Sequence, residues 1–199
     1  MPRRETPFVP DQYYHFYNRG NNRGKVFFER ENYLYFLKGF VKYVLPFVEV
    51  IAYCLMPTHY HILLRIKTSE VLKTSEVSNA MMKFIVSYTK AINKRFERVG
   101  ALFQGQFHGE PIQTYSHLLA LCIYIHTNPV KDGLVFLPEE WEYSNYLEWM
   151  QLRDGKLVDK GFISEHFGSK EEYQKQVLAY IKTRDLPDEV RNYLSELEK

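Results

Sequence analysis

The sequence contains little cysteine and no long hydrophobic run. Its two cysteines, Cys54 and Cys122, exclude a scaffold held by disulfides. Both lie in apolar segments, so we expect two buried, reduced thiols. Apolar runs such as 48–56 are much shorter than the ~18 residues of a membrane-spanning helix. Residues 1–5 also lack the hydrophobic segment of a secretory signal. We therefore expect a cytoplasmic protein that does not contact membranes.

The totals also lack an excess of charge of one sign, since 26 Lys and Arg oppose 24 Asp and Glu. The distribution along the chain is uneven. Residues 1–138 hold 17 basic and 10 acidic side chains, whereas residues 139–199 hold 9 basic and 14 acidic ones. This pattern is typical of a polyanion-binding body with an acidic C-terminal element, although an ordinary solvated acidic tail would give the same counts.

Alternating strand and helix patterns divide the first 150 residues. Branched and aromatic runs predict four strands, at 13–18, 47–56, 60–66 and 110–114. Apolar residues at helical spacing predict three helices, at 31–44, 78–98 and 116–127, the last ended by Asn128 and Pro129. The order β-α-β-β-α-β-α predicts an α+β fold of the ferredoxin-like (split βαβ) type, with an antiparallel sheet and helices on one face.

The C-terminal part is predicted to differ from this body. Beyond residue 139 we expect short helices, including one at 171–183. We divide the chain into a domain of residues 1–150 and a helical tail of residues 151–199.

Two histidines alternate in the third predicted strand. Because strand side chains repeat every two residues, His59 and His61 project from one face while Tyr60 points the other way. Such a pair can chelate a metal ion. A pair of half-buried histidines without a ligand role is the commoner outcome of this pattern, and two ligands fall short of the four that a structural zinc ion requires.

The helix predicted at 116–127 carries a second polar group. At about 100° per residue, His117, Tyr124 and Asn128 lie within about 40° of each other beside the apolar stripe. Tyr124 and Asn128 are one turn apart, so their side chains can converge. They could accompany an ion held by the two histidines, but for this helix taken alone a boundary aromatic and a plain helix end are the preferred explanation.

Several segments, in this order, resemble the single-tyrosine HUH transposases of the insertion-sequence type, and among them the REP-associated tyrosine transposases. The segments are MPTHYHILL at 56–64, LFQGQF at 102–107, YIHTNPVKDGLV at 124–135 and WEYSNY at 141–146. The resemblance extends from residue 13 to about 147. It implies a metal-dependent DNA strand transferase on a ferredoxin-like core.

The resemblance also implies roles for individual residues. His59 and His61 match the His-hydrophobic-His motif that binds a divalent ion, and Tyr124 matches the nucleophile. Asn128 falls where relatives carry a third polar ligand, often Gln, and Gln106 stands where many relatives carry Arg. A free tyrosine, with an ordinary pKa of about 10, is a weak nucleophile. Mg²⁺ or Mn²⁺ at the histidines would polarise the scissile phosphate, and attack would leave a 5′-phosphotyrosine.

The expected partner is single-stranded or hairpin DNA, since the nucleophile must reach an exposed backbone. Seven basic residues are candidates for phosphate contacts, namely Arg3, Arg4, Arg19, Arg23, Lys90, Lys94 and Arg95. Relatives can act as dimers, so a homodimer is compatible with the resemblance. We also expect residues beyond about 150 to pack near the basic surface and to moderate DNA binding.

Two other functions remain open from the residues. One is a binding module that recognises hairpin DNA or RNA on an RRM-like sheet and cuts nothing. The other is a metal-dependent phosphodiesterase that uses water as its nucleophile.

Overall fold

A four-stranded antiparallel sheet forms the centre of the computed structural model, which describes residues 8–68, 74–155, 157, 159 and 161–197. The strands are β1 (Tyr13–Arg19), β2 (Val48–Met56), β3 (His59–Ile66) and β4 (His108–Pro111). Their order across the sheet is β2-β3-β1-β4. All neighbouring pairs are antiparallel. These observations confirm the predicted α+β class with a split βαβ arrangement.

Seven α-helices accompany the sheet in the described part of the chain. They are α1 (Arg30–Tyr43), α2 (Thr74–Arg95), α3 (Tyr115–Lys131), α4 (Tyr146–Trp149), α5 (Phe162–His166), α6 (Lys170–Thr183) and α7 (Asp188–Leu197). Helix α6 matches the predicted helix at 171–183 to within one residue. The C-terminal helical extension is thereby confirmed.

One face of the sheet is covered by α1 and α2. Alternate residues of β3, beginning with Tyr60, point into an apolar core on this side together with Phe36 from α1 and Phe84 from α2. The Phe36 ring lies 5.0 Å from the Tyr60 ring and 4.7 Å from the Phe84 ring, centroid to centroid. The two helices of the ferredoxin-like unit therefore pack on one face, as predicted.

The opposite face is covered as well, by α3 and the C-terminal helices. Cys54 and Leu63 of the sheet share this second core with Cys122 and Ile125 of α3 and Tyr173 of α6. Helix α3 was expected on the same face as α1 and α2, and this detail of the prediction was wrong. The cause lies in the strands, because nearly every residue of β2 is buried and a strand buried on both sides needs two covering layers. Both cysteines are buried and free, as predicted.

Helix α3 continues through the proline that was expected to end it. Pro129 lies inside α3, which reaches Lys131. The hydroxyl of Thr127 donates to the carbonyl of Ile123 at 2.8 Å, and the amide of Asn128 lies 3.4 Å from the carbonyl of Tyr124. Both bonds lie in the turn before Pro129, whereas the carbonyl that loses its backbone donor to the proline is that of Ile125. Tyr124, Asn128 and Lys131 consequently lie on one helix at spacings of four and three residues.

Two other boundaries differ from the prediction. Strand β4 begins at His108 and ends at Pro111, because Thr114 caps α3 by accepting from the backbone N–H of His117 and the chain has left the sheet by then. Helix α2 ends at Arg95, three residues early, and Glu97 follows with a left-handed φ of 50°. Within the described residues, no helix has the length and apolar content needed to cross a membrane.

Candidate active site

A cleft of about 470 Å³ opens where the ends of β1 and β3 meet the C-terminal half of α3. Strand β3 contributes two imidazoles, and α3 contributes a phenol, an amide and an ammonium group. The residues concerned are His59, His61, Tyr124, Asn128 and Lys131. Residues separated by more than 60 positions in the sequence therefore share one site.

The two histidines of β3 point to the same side of the sheet, as their alternation predicts. Their ring centroids are 5.1 Å apart. Thr58 Oγ1 lies 2.9 Å from His59 Nδ1, and His15 Nε2 lies 2.9 Å from His61 Nδ1. In both rings Nδ1 therefore has a neighbour within the protein, which assigns Nε2 to any ion bound in the cleft. His15 comes from the adjacent strand β1 and was not among the predicted site residues.

Burial favours the neutral form of the His61 and His15 imidazoles. Desolvation lowers the pKa of His61 well below its ordinary value, and the nearby His15 and His59 lower it further. Desolvation likewise lowers the pKa of His15 to about 3, with a smaller contribution from His117. Only a neutral imidazole can ligate a metal ion, so this environment suits a ligand role.

Tyr124 lies beside this pair. Its ring meets the ring of His61 edge-on, with 5.7 Å between centroids and 77° between planes. The ammonium nitrogen of Lys131 lies 5.2 Å from the centroid of the Tyr124 ring. Asn128 is buried, and the bond from its Nδ2 to the Tyr124 carbonyl leaves Oδ1 as the atom that suits a cation. The nucleophile predicted from the sequence and all three predicted ligands therefore lie together.

The donor set fits an open metal site better than a closed one. Among the residues that the structure describes, no group of three His, Cys, Asp or Glu side chains could hold an ion. Two imidazole nitrogens and an amide oxygen leave coordination positions for water or for phosphate oxygens of a substrate. Such a mixed, incomplete set is compatible with Mg²⁺ or Mn²⁺.

The four strands and most residues of the site lie within a segment that matches a known family. Residues 8–128 match the model of the family described as "Transposase IS200 like". The chain belongs to the IS200-like transposase family. This match covers more than half of the chain and includes His59, His61, Tyr124 and Asn128.

Two similar proteins can be placed beside this IS200-like transposase. A Haemophilus influenzae protein named "Putative REP-associated tyrosine transposase" is 26% identical over 106 residues, which are 51% of this chain and 60% of that protein. The match thus spans less than two thirds of that relative's length. A solved REP-associated tyrosine transposase bound to a REP hairpin shares 18% identity and a TM-score of 0.59, covering 80% of this chain and 94% of the solved one. The second match supports the fold.

The basic residues predicted to contact DNA fall into three groups in the structure. Arg19 and Arg23 line the cleft. Lys90, Lys94 and Arg95 are exposed on α2, which covers the opposite face of the sheet, and Arg95 pairs with Glu29 at 3.2 Å. Arg3 and Arg4 lie outside the described residues.

The prediction missed two residues of the site, Lys131 and His15. His117 shares a helical face with Tyr124 but does not line the cleft, and its ring packs 4.7 Å from the ring of Tyr193 on α7. Lys131 was missed, although its position seven residues after Tyr124 predicts the same helical face once α3 is known to continue. The sequence indicates His15 less directly. Tyr17 lines the cleft, and His15 lies two residues before it, on the same face of β1.

Proposed function

We propose that this protein nicks and rejoins single-stranded DNA at hairpins, in a metal-dependent reaction that proceeds through a 5′-phosphotyrosine on Tyr124. The observation that carries the proposal is the 5.7 Å approach of the Tyr124 ring to His61, beside His59 and Asn128. Membership of the IS200-like transposase family supports DNA strand transfer as the reaction. The REP hairpin named for the solved neighbour favours hairpin DNA as the substrate.

His59, His61 and Asn128 would hold the divalent ion, Mg²⁺ or Mn²⁺. When bound, such an ion withdraws charge from the scissile phosphate and stabilises the charge that develops during attack. His61 contributes a neutral nitrogen, and α3 brings the amide oxygen of Asn128 to the same cleft as Tyr124. The packing of α3 on the sheet thus aligns nucleophile and ligands before the substrate binds.

Each step forms one phosphoester bond and breaks another, so the reaction needs no external energy source. The Tyr124 oxygen bonds to phosphorus as the bond from phosphorus to the 3′ oxygen breaks, and the phenolic proton ends on the released 3′-hydroxyl. Attack of a 3′-hydroxyl on the phosphotyrosine reverses these changes and joins two strands. Lys131 favours a developing phenolate at Tyr124, and Arg19 and Arg23 would bind flanking phosphates.

The nucleophile and the ligands belong to a single chain. Tyr124 reaches the neighbourhood of His61 from the same molecule, so the reaction as proposed does not require a homodimer.

The test is to trap the covalent intermediate. The protein is incubated with Mn²⁺ and a hairpin DNA that is labelled on the 3′ side of the expected cleavage site, the side that stays bound to the tyrosine. Adducts are resolved on a denaturing gel. We expect an adduct with the unmodified chain and with Tyr115→Phe, whose hydroxyl contacts His166 away from the cleft. We expect none with Tyr124→Phe. His59→Ala should lose the adduct while hairpin binding persists.

Three results would contradict the proposal. An adduct that survives in Tyr124→Phe would reject the nucleophile. Hairpin binding without any adduct, unchanged by EDTA and by His59→Ala, would favour a binding module, whereas repeated turnover without an adduct would favour attack by water.

A further inference from the structure

A chain of hydrogen bonds leads from the cleft to the last helix. His61 Nδ1 lies 2.9 Å from His15 Nε2, and His15 Nδ1 lies 2.7 Å from the hydroxyl of Tyr193 on α7. His15 and Tyr193 are 178 positions apart in the sequence. Tyr193 also lies beyond residues 8–128, which match the family model. The C-terminal extension therefore reaches the interior of the candidate site.

The packing fixes the members of this chain. The rings of His15 and His61 stack at 5.0 Å with 21° between planes, and His15 is completely buried. The Tyr193 ring meets His15 at 5.9 Å and His117 at 4.7 Å. Val190 and Leu194, on the same helix, are buried in the core beneath α3. None of these rings can turn without disturbing a packed neighbour.

Only two proton arrangements satisfy both hydrogen bonds with neutral imidazoles. In the first, His61 Nδ1–H donates to His15 Nε2, and His15 Nδ1–H donates to the Tyr193 oxygen. In the second, Tyr193 donates to His15 Nδ1, and His15 Nε2–H donates to His61 Nδ1. The second arrangement places a proton on His61 Nε2, which then cannot ligate a metal ion. The first leaves the lone pair of His61 Nε2 available to the cleft.

We propose that His15 and Tyr193 are positioning residues that hold the His61 ring in its Nδ1–H tautomer, so that α7 of the C-terminal extension completes the metal site. This inference rests on the proposed function, because it assigns a ligand role to His61. Partners that orient a ligating imidazole through its second nitrogen commonly change metal affinity by about 10–100-fold when removed. The extension would thereby act on the site through its hydrogen bond and not through its negative charge.

The test measures metal binding and tautomers apart from activity. Mn²⁺ affinity is determined by electron paramagnetic resonance titration for the unmodified chain, His15→Phe, Tyr193→Phe and His61→Ala. Tyr115→Phe is the matched control, since it also removes a tyrosine hydroxyl that contacts a histidine, 3.1 Å from His166 Nδ1. Long-range ¹H–¹⁵N correlation spectra of ¹⁵N-histidine-labelled, metal-free protein report which nitrogen of His61 carries the proton.

We expect Mn²⁺ affinity to fall about 10–100-fold in His15→Phe. In Tyr193→Phe, which keeps the packed ring, it should fall roughly three- to tenfold, in keeping with the loss of one hydrogen bond. Tyr115→Phe should match the unmodified chain. The spectra should show His61 protonated at Nδ1 in the unmodified chain and a larger Nε2–H population in Tyr193→Phe.

The measurements distinguish failure of this inference from failure of the proposed function. If His61→Ala abolishes Mn²⁺ binding while His15→Phe and Tyr193→Phe bind as the unmodified chain does, the inference is overturned and the proposed function stands. If His61→Ala and His59→Ala bind Mn²⁺ with unchanged affinity, the metal site itself is rejected. An Nε2–H tautomer of His61 in the unmodified chain would also overturn the inference.

Discussion

The Tyr124 ring stands at 77° to the His61 ring, with 5.7 Å between the centroids. Tyr124 lies on α3, and His61 lies on β3. Leu121 and Ile125 pack α3 against the face of the sheet from which His61 projects. The position of Tyr124 relative to His61 is therefore set by core packing and not by a loop. In the proposed reaction, this packing would align the attack before DNA binds.

Lys131 should contribute one phosphate contact at the site of cleavage. Lys131→Gln removes a charge that lies 5.2 Å from the Tyr124 ring, so we expect weaker binding of single-stranded DNA and slower adduct formation. The slope of log affinity against log salt should become shallower by about 0.7, as expected for one lost contact. Fluorescence anisotropy at four salt concentrations measures both quantities.

The matched control for this prediction is Lys94→Gln. Lys94 is exposed on α2, on the opposite side of the sheet from the cleft. We expect its affinity and salt slope to equal those of the unmodified chain. Equal effects of the two substitutions would mean that DNA wraps across both faces of the protein.

Acid should destabilise the fold through its buried histidines. Burial lowers the pKa of His126 to about 4, while its hydrogen bond to Asn145 raises it slightly. In the unfolded chain a histidine binds a proton below about pH 6.5. Between pH 6.5 and 4 the unfolded state therefore binds more protons than the folded state, and the free energy of unfolding falls as the pH falls. The loss is at most about 1.4 kcal/mol per pH unit for each such histidine.

Urea unfolding in EDTA at pH 7.5, 5.5 and 4.5 measures this dependence. His126→Gln keeps a donor for Asn145 but removes the titration, so its free energy of unfolding should vary less steeply with pH below 6.5. A slope identical to that of the unmodified chain would show that His126 does not contribute.

Much of the sheet and of the site follows from local patterns. The alternation of His59, Tyr60 and His61 predicts two imidazoles on one face, and the structure confirms it. Short apolar runs bounded by turns predict all four strands. These signals succeed because side-chain direction in a strand depends only on position along it.

Long-range contacts could not be predicted from such patterns. Nothing near residue 193 indicates that its hydroxyl meets His15, because the contact depends on how α7 packs under α3. The continuation of α3 past Pro129 runs against the helix-breaking tendency of proline, so local propensity does not predict it. The buried strand β2 requires a second covering layer, but its pattern does not indicate that α6 contributes the fully buried Tyr173 and Val177 to that layer.

Gly20 should be required for the turn that carries Arg23 to the cleft. A Cβ at residue 20 would overlap the carbonyl oxygen of Gly24, so Gly20→Ala must open the turn between them. We expect a destabilisation of about 1–3 kcal/mol, typical of overpacking, and weaker binding of hairpin DNA. Thermal unfolding and anisotropy measure the two effects.

A double mutant separates these effects. If Gly20→Ala acts on DNA through Arg23, then adding Arg23→Gln should cause no further loss of affinity. Additive losses would show that the turn contacts DNA through other groups.

Asn145 should be among the most sensitive residues outside the cleft. β2 is an edge strand with a register shift between Val50 and Ala52, and Asn145 binds its outer edge. The Asn145 Oδ1 accepts from the backbone N–H of Tyr53 at 2.5 Å and from His126 Nε2 at 3.0 Å, while Nδ2 donates to the Ile51 carbonyl at 2.8 Å. Asn145→Ala would leave three buried polar groups without partners.

Each buried polar group left without a partner costs about 1–3 kcal/mol, so we expect Asn145→Ala to lower the free energy of unfolding by at least about 3 kcal/mol. Asn192→Ala, at an exposed position of α7, should change it by less than about 0.5 kcal/mol. Because Asn145 joins the edge of β2 to α3 through His126, its loss should also loosen the helix that positions Tyr124. Amide hydrogen exchange should therefore accelerate along α3 as well as at β2. Acceleration confined to β2 would show that α3 is held by its apolar contacts alone.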